Sequence, residues 1–304
     1  MDVDGFRENG YLVLRDVVPD HVTDPLIAVL GRRVAEVAAE RHAAGRIPGT
    51  FADLPFDRRI AEVYGDEAPP VREWRRRLRC EAYHRIVTSP ELLSPLRRLL
   101  GDEITYQGNS HLRPYVSRHL DRLPWHQDAQ FYGPGVEGML WNLVQVWLPL
   151  TDAPVDGGCM AVVPGSHRWG LVDSDASGRP VGPDDDPERV YRAAADRARF
   201  SPAVLLPMRR GDLLVFTNLL VHTGTENRSG RVRWSVDMRF ESTADARPRT
   251  DAERLGYRVT RARMVSRDAV PLRVASRYGP EDWPSWRSRL ATGCFSESPS
   301  PAVS

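Results

Sequence analysis

Trp125-His126-Gln127-Asp128 sets an imidazole and a carboxylate two residues apart. In an extended chain, alternate side chains share a face. His126 and Asp128 would then point the same way and could grip one metal ion. A third ligand must come from far along the chain. His222, in Leu219-Leu220-Val221-His222-Thr223-Gly224, is the best-placed candidate. Two His and one carboxylate leave half an octahedron open, a ligand set suited to non-haem Fe(II). With eight His in the chain, an H-x-D pair arises readily by chance. The weight of the motif therefore depends on what surrounds it.

Three ligands alone would also suit a metal-binding jelly-roll protein without oxidative turnover. A 2-oxoglutarate cosubstrate adds a requirement. It chelates iron through its keto acid end and leaves a free carboxylate, which when buried needs a charged bidentate partner, as Arg provides. Downstream of His222 the chain reads Arg231-Val232-Arg233-Trp234-Ser235-Val236-Asp237-Met238-Arg239-Phe240. Alternation puts Arg231, Arg233, Ser235, Asp237 and Arg239 on one face and the apolar residues on the other. A solvated face would show the same pattern. Periodicity therefore leaves open which of the three Arg is internal.

The elements that must position these groups follow from period and punctuation. Tyr11 to Leu14 reads as a strand. Asp20 to about Ala44 reads as a helix, with Leu26, Leu30, Val34 and Val37 at helical spacing. Residues 46–70 carry several Pro and Gly and read as a loop. Arg72, Arg75, Arg76, Arg77 and Arg79 surround Trp74 and Leu78; they form either a solvated helix face or a site for an acidic partner. Ser89-Pro90-Glu91 is an N-cap, an N1 proline and an acidic first turn, opening a helix that stops at Gly101. Beyond Glu103 the period becomes strand-like. Thr105, Gln107, Asn109, His111 and Arg113 share one parity, which makes either a wet edge or a polar pocket wall. Trp141–Leu150, Cys159–Val163, Val204–Leu206, Leu213–Thr217 and Val232–Phe240 read as further strands, and 171–200 as an excursion from the core. The tail 296–304 reads as disordered. Helices first, then many short strands, suit a mainly β fold with flanking helices, a double-sheet jelly roll. We expect one domain over 1–304: a helical flank at about 19–101, a core at about 103–241, and an extension at 242–304.

Composition narrows the function classes. The 42 basic and 41 acidic residues nearly cancel, so no global field favours nucleic acid or membrane. Every basic residue is Arg, as a GC-rich genome would give, and the absence of Lys excludes Schiff-base chemistry. The three Cys, an odd number with no CxxC, suit a reducing, cytoplasmic setting. No secretory h-region or membrane-length apolar run is present.

Taken together and in order, the motifs resemble a known family. They are His126-Gln127-Asp128; Gln145-Val146-Trp147-Leu148-Pro149-Leu150; Gly157-Gly158; Val163-Pro164-Gly165-Ser166-His167; Gly211-Asp212; His222; Asn227-Arg228-Ser229; and Arg233. Over roughly Phe6 to Phe240 the chain is similar to the phytanoyl-CoA dioxygenase family, in the superfamily that includes ectoine hydroxylase. The resemblance implies a double-stranded β-helix of cupin type, Fe(II), 2-oxoglutarate and O2. It implies His126, Asp128 and His222 as metal ligands. It also implies Arg233, eleven positions after the distal His, as anchor of the distal carboxylate, with Trp147 beside the cosubstrate and Gln107 and His111 on the pocket strand. Where the family commonly has Ser, two positions after the distal His, this chain has Gly224; Thr223, Thr225 or a water would supply the hydroxyl. In related halogenases the carboxylate ligand is replaced by a small residue, so Asp128 makes hydroxylation the expected outcome. Desaturation, cyclisation or epoxidation can follow the same hydrogen abstraction.

The expected protein is a cytoplasmic dioxygenase that hydroxylates an unactivated C–H of a small molecule in specialised metabolism, releasing succinate and CO2. Its substrate is free or tethered to CoA or a carrier protein, the latter read from the Arg72–Arg79 cluster. His111, Asn109, Arg113, Phe131 and Tyr132 are the candidate substrate contacts. His21, His42, His84 and His119 read as surface or loop residues, and His167 as structural.

Overall fold

The apolar parity of 232–240 decides the architecture. The computed structural model describes residues 1–116, 124–131, 142–175, 177–179, 181, 186–199, 201–243, 270, 272–276 and 279–292. In it Val232, Trp234, Val236, Met238 and Phe240 are all buried in one core, together with side chains of the N-terminal helices. The order is α1 (Val3–Asn9), β1 (Tyr11–Leu14), α2 (Asp20–Ala43), α3 (Phe56–Tyr64), α4 (Val71–Arg76), α5 (Glu81–Val87) and α6 (Pro90–Leu100). Then come β2 (Ile104–Tyr106), β3 (His111–Tyr115), β4 (Leu143–Pro149), β5 (Met160–Val162), α7 (Pro187–Ala198) and β6 (Val204–Leu206). Last are β7 (Leu213–Thr217), β8 (His222–Gly224), β9 (Arg233–Ser242), β10 (Leu272–Ala275) and α8 (Trp283–Thr292).

The strands form two antiparallel sheets. The larger runs β1-β7-β4-β9-β2-β10 with β3 also on β9, and the smaller runs β6-β5-β8. This is the expected jelly-roll arrangement with a helical flank. Cross-strand pairs share a face, so register assigns the two surfaces of the large sheet. Val144, Val146 and Leu148 of β4 join the apolar side of β9 against the helices. On the other face Gln145 lies opposite Arg239, Trp147 opposite Asp237, His111 opposite Asp237 and Tyr115 opposite Arg233. The polar parity of β9 thus lines the space between the sheets.

Four expectations are corrected. First, 46–70 is not all loop, because α3 occupies Phe56–Tyr64. Pro55 and Gly65 flank this helix as its caps, and Phe56 stacks on Trp234 with ring centroids 4.9 Å apart. Second, the strand expected through 105–113 is broken. Gly108 takes a φ of +75°, and a Cβ there would lie 2.4 Å from the Val270 backbone. Only glycine tolerates that conformation and contact. Third, 171–200 is not a bare excursion: Val172, Val181, Val190 and Ala193 form a small cluster of their own, and Ala198 packs with Val163 and Val221. The extension contributes structure as well. β10 pairs with β2, and Trp286 and Leu290 of α8 enter the main core. Fourth, His84 belongs to that junction and not to the surface: it is buried, its Nε2 donates to Glu281 O at 2.9 Å, and it packs on Trp283 and Trp286. The tail 296–304 and His119 lie outside the described residues. No described helix is long and apolar enough to cross a membrane.

Candidate active site

His126 and His222 meet as a cross-strand pair. His126 N donates to His222 O at 3.0 Å, and His222 N to His126 O at 2.9 Å. The stretch is extended only at His126, since Asp128 opens a 3-10 turn, Asp128–Phe131. That turn is held by Ala129 N donating to Asn218 O. The two side chains still converge. One ligand atom from each of His126, Asp128 and His222 lies within 4.8 Å of the others, and all three residues are buried. Asp128 Oδ1 is 3.6 Å from His126 Nε2 and 3.9 Å from His222 Nε2. Ligand atoms about 2.0–2.2 Å from one ion at right angles stand roughly 3 Å apart, so a small inward shift completes the triad.

The donor chemistry fits a divalent metal. His126 Nδ1 lies 2.7 Å from Pro124 O, and His222 Nδ1 lies 2.9 Å from Leu220 O. A carbonyl only accepts, so both rings carry their proton on Nδ1 and present a bare Nε2 to the shared point. Burial, together with the neighbouring His126, pushes the His222 pKa down to about 3, keeping that ring neutral. Burial would raise the Asp128 carboxyl, but the Arg239 charge beside it outweighs this and holds it well below the usual range.

Gln127, between the two ligands, had no expected role. Its Nε2 donates to Leu219 O at 2.6 Å and Gly170 O at 2.9 Å, and its Oε1 accepts from Val172 N at 2.7 Å. It ties the metal motif both to the turn that leads into His222's strand and to the backbone at Gly170 and Val172. Tyr191 of α7 covers His126 edge-on, with centroids 5.8 Å apart. Burial raises its pKa to about 12, so the phenol stays protonated. His167 is structural, as expected: its Nε2 donates to Arg7 O at 3.0 Å.

Among the three rival arginines the structure distinguishes clearly. Arg231 is exposed and pairs with Asp57 of α3 at 2.7 Å. Arg233 is buried, with Cζ 4.5 Å from the Tyr115 ring centroid and 5.4 Å from that of Trp147. Its Nη1 donates to Gly158 O, and its Nε is buried with no hydrogen-bond partner. Gly224 faces it: a Cβ there would stand 3.5 Å from Nη1. Gly224 is two strand residues from His222, roughly 6.6 Å, a span of the order of 2-oxoglutarate itself. Thr225 Oγ1 donates to Cys159 O at 2.8 Å, so its one proton is committed to backbone. Arg239 is also buried, and pairs with Asp128 at 3.0 Å.

The pocket strand divides. His111 is buried beside Arg239, its Nδ1 3.3 Å from Arg239 Nη1. Arg113 is half-buried and pairs with Asp237 at 3.0 Å. Gln107 is buried, and its N donates to Arg239 O at 2.9 Å. Asn109, carried round by Gly108, instead accepts from Arg75 of α4 at 3.0 Å. This bond engages one member of the basic cluster. Phe131 ends the 3-10 turn; Tyr132 lies outside the described residues.

A buried His-Asp-His cluster suited to a divalent metal, with a buried guanidinium at about the reach of a short dicarboxylate, is the arrangement of a class: the 2-oxoglutarate-dependent non-haem iron oxygenases. Comparison with known proteins agrees. The profile of the phytanoyl-CoA dioxygenase (PhyH) family matches residues 6–235. The peroxisomal phytanoyl-CoA dioxygenase of Mus musculus is 23% identical over 300 residues, covering 95% of this chain and 81% of that protein. Among solved structures, EctD from S. alaskensis with bound Fe superposes with a TM-score of 0.53 at 17% identity, covering 87% of this chain and 84% of that one. SnoK, a non-haem α-ketoglutarate-dependent carbocyclase from nogalamycin biosynthesis, gives 0.51 at 23% identity, covering 79% and 82%. The chain belongs to the phytanoyl-CoA dioxygenase family.

Proposed function

We propose that this oxygenase hydroxylates an unactivated C–H bond of a small molecule in specialised metabolism, releasing succinate and CO2. Arg233 carries the reading. A buried guanidinium with an unpartnered Nε is costly unless an anion completes it. It sits one short dicarboxylate from the triad, where a metal-storage site would need no such group. His126 Nε2, His222 Nε2 and Asp128 Oδ1 would hold Fe(II), which with 2-oxoglutarate supplies O2 activation and removal of a substrate hydrogen. Arg233 would bind and orient the distal carboxylate, with Trp147 and Tyr115 excluding water around it. Gln127 would hold the two His-bearing segments together, and Tyr191 would shield His126. His111 and Arg113 line the substrate side.

SnoK's carbocyclase activity favours a second outcome, ring closure after the same hydrogen removal. Mass spectrometry separates them, because hydroxylation adds one oxygen while cyclisation or desaturation removes two hydrogens. The substrate is free or carried on CoA or a carrier protein, and the free thiols of Cys80 and Cys159 suit a reducing cytoplasm. The test is a succinate-release screen with Fe(II) and candidate small molecules. Substrate-dependent succinate with a product gaining oxygen is expected. Stoichiometric metal uptake without 2-oxoglutarate binding would leave only a metal-binding jelly roll.

A further inference from the structure

We propose that Arg239 is a positioning residue that holds Asp128 as a one-oxygen ligand, and so keeps neighbouring metal positions open for the keto acid. The inference rests on the oxygenase reading above and goes beyond its ligand set.

Asp128 divides its two oxygens. Oδ1 faces both imidazole Nε2 atoms, while Oδ2 accepts from Arg239 Nη2 at 3.0 Å. The guanidinium is held at a second point, with Nη1 3.3 Å from His111 Nδ1. A guanidinium cannot accept, so His111 Nδ1 is the acceptor and its ring carries the proton on Nε2. His111, expected as a substrate contact, therefore also orients Arg239. The Arg239 and Asp128 side chains are only 7% and 11% exposed, so solvent and salt screen the pair little. The backbone is fixed too: Arg239 lies opposite Gln145 of β4, and its carbonyl accepts from Gln107 N.

The consequence lies in how carboxylates bind divalent ions. They coordinate through one oxygen or through both. Three protein atoms leave three octahedral positions, two for the keto acid and one for O2. A chelating Asp128 would take one of them. Arg239 prevents this by engaging Oδ2 in a charge-assisted bond from a fork whose other arm is anchored.

Arg239→Met keeps much of the side chain's length and removes the donors, while Arg239→Lys retains a charged donor. Three quantities are read without turnover. They are Ni(II) stoichiometry, anaerobic 2-oxoglutarate affinity of the Fe(II) protein, and the metal-minus-apo infrared spectrum of 13C-Asp-labelled protein. In that spectrum a wide gap between antisymmetric and symmetric carboxylate stretches marks one-oxygen binding, and a narrow gap marks chelation. The expected Arg239→Met protein binds one Ni(II), shows the narrow gap, and loses roughly 10- to 100-fold in 2-oxoglutarate affinity, the range for lost partners of metal ligands. Arg239→Lys recovers part of both. Arg239→Leu, likewise without donors, carries the same comparison should Arg239→Met fail to fold. Wild-type affinity together with an unchanged gap in the uncharged variant overturns the clamp alone. Failure of the unaltered protein to bind metal or 2-oxoglutarate overturns the oxygenase reading and the clamp with it.

Discussion

Replacing Arg233 by Met should move stability and cosubstrate affinity in opposite directions. In the free protein the guanidinium is buried, its Nε has no partner, and burial drops its pKa to about 10. Two aromatic faces, 4.5 and 5.4 Å from Cζ, return some of that cost. Such contacts give about 2 kcal/mol when desolvated, against several kcal/mol for burying the ion. An apolar side chain of similar length should therefore leave the metal-free fold unchanged or stabilise it, by up to about 4 kcal/mol. The same change removes one partner of a buried charge pair in the complex. That costs about 2–5 kcal/mol, or roughly 30- to 5000-fold in 2-oxoglutarate affinity. Arg233→Lys, which keeps the charge without the fork, should fall between. Urea denaturation of the metal-free protein and anaerobic calorimetry of the metal-loaded protein read the two effects. An Arg233→Met protein that is clearly less stable and binds 2-oxoglutarate normally would show that Arg233 is a structural prop, and Arg231 or Arg239 would have to be tested as the anchor.

Other substitutions probe the same frame. Asp128→Gly should abolish substrate-dependent succinate release and lower the thermal midpoint, because it leaves the buried Arg239 guanidinium without its carboxylate; wild-type turnover would show that Asp128 is no ligand. Gly224→Ser places a Cβ in ordinary contact with Arg233 and adds a hydroxyl donor beside the cosubstrate carboxylate. Calorimetry should show binding roughly 2- to 12-fold tighter, the equivalent of one added hydrogen bond. Weaker binding would place the carboxylate elsewhere. Trp286→Ala should cost about 3–5 kcal/mol of unfolding free energy, since the ring is buried in the main core and donates to Val270 O. A neutral result would make α8 dispensable.

Two of the three metal ligands were legible from local spacing, and the distant His222 from its place ahead of the Arg-bearing strand. H-x-D converges even though Asp128 turns out of the extended conformation, while Arg233 was singled out among the three Arg only by the family resemblance. What parity could not tell was the destination of each β9 arginine. Arg231 meets Asp57 only because α3 lies beside it, and α3 was read as loop because its capping Pro55 and Gly65 looked like breakers. Arg239's bond to Asp128 joins residues 111 positions apart, and no local pattern encodes it. The role of Gln127 was equally hidden, since its three partners are backbone atoms of two distant segments. Gly108 offered a usable signal: a glycine inside an alternating polar strand marks a break or a close approach, and both occur there. In 171–200, charge masked a small apolar set that packs on itself.

The central claim is that the three converging side chains hold Fe(II) with room for a chelating keto acid. Anaerobic addition of 2-oxoglutarate to the Fe(II)-loaded protein tests it most directly, through the weak visible charge-transfer band of the chelate. The account predicts that band, saturating at one 2-oxoglutarate per chain, in the unaltered protein and its loss in His222→Ala. Its absence from the unaltered protein, or its persistence at full strength in His222→Ala, would contradict the account.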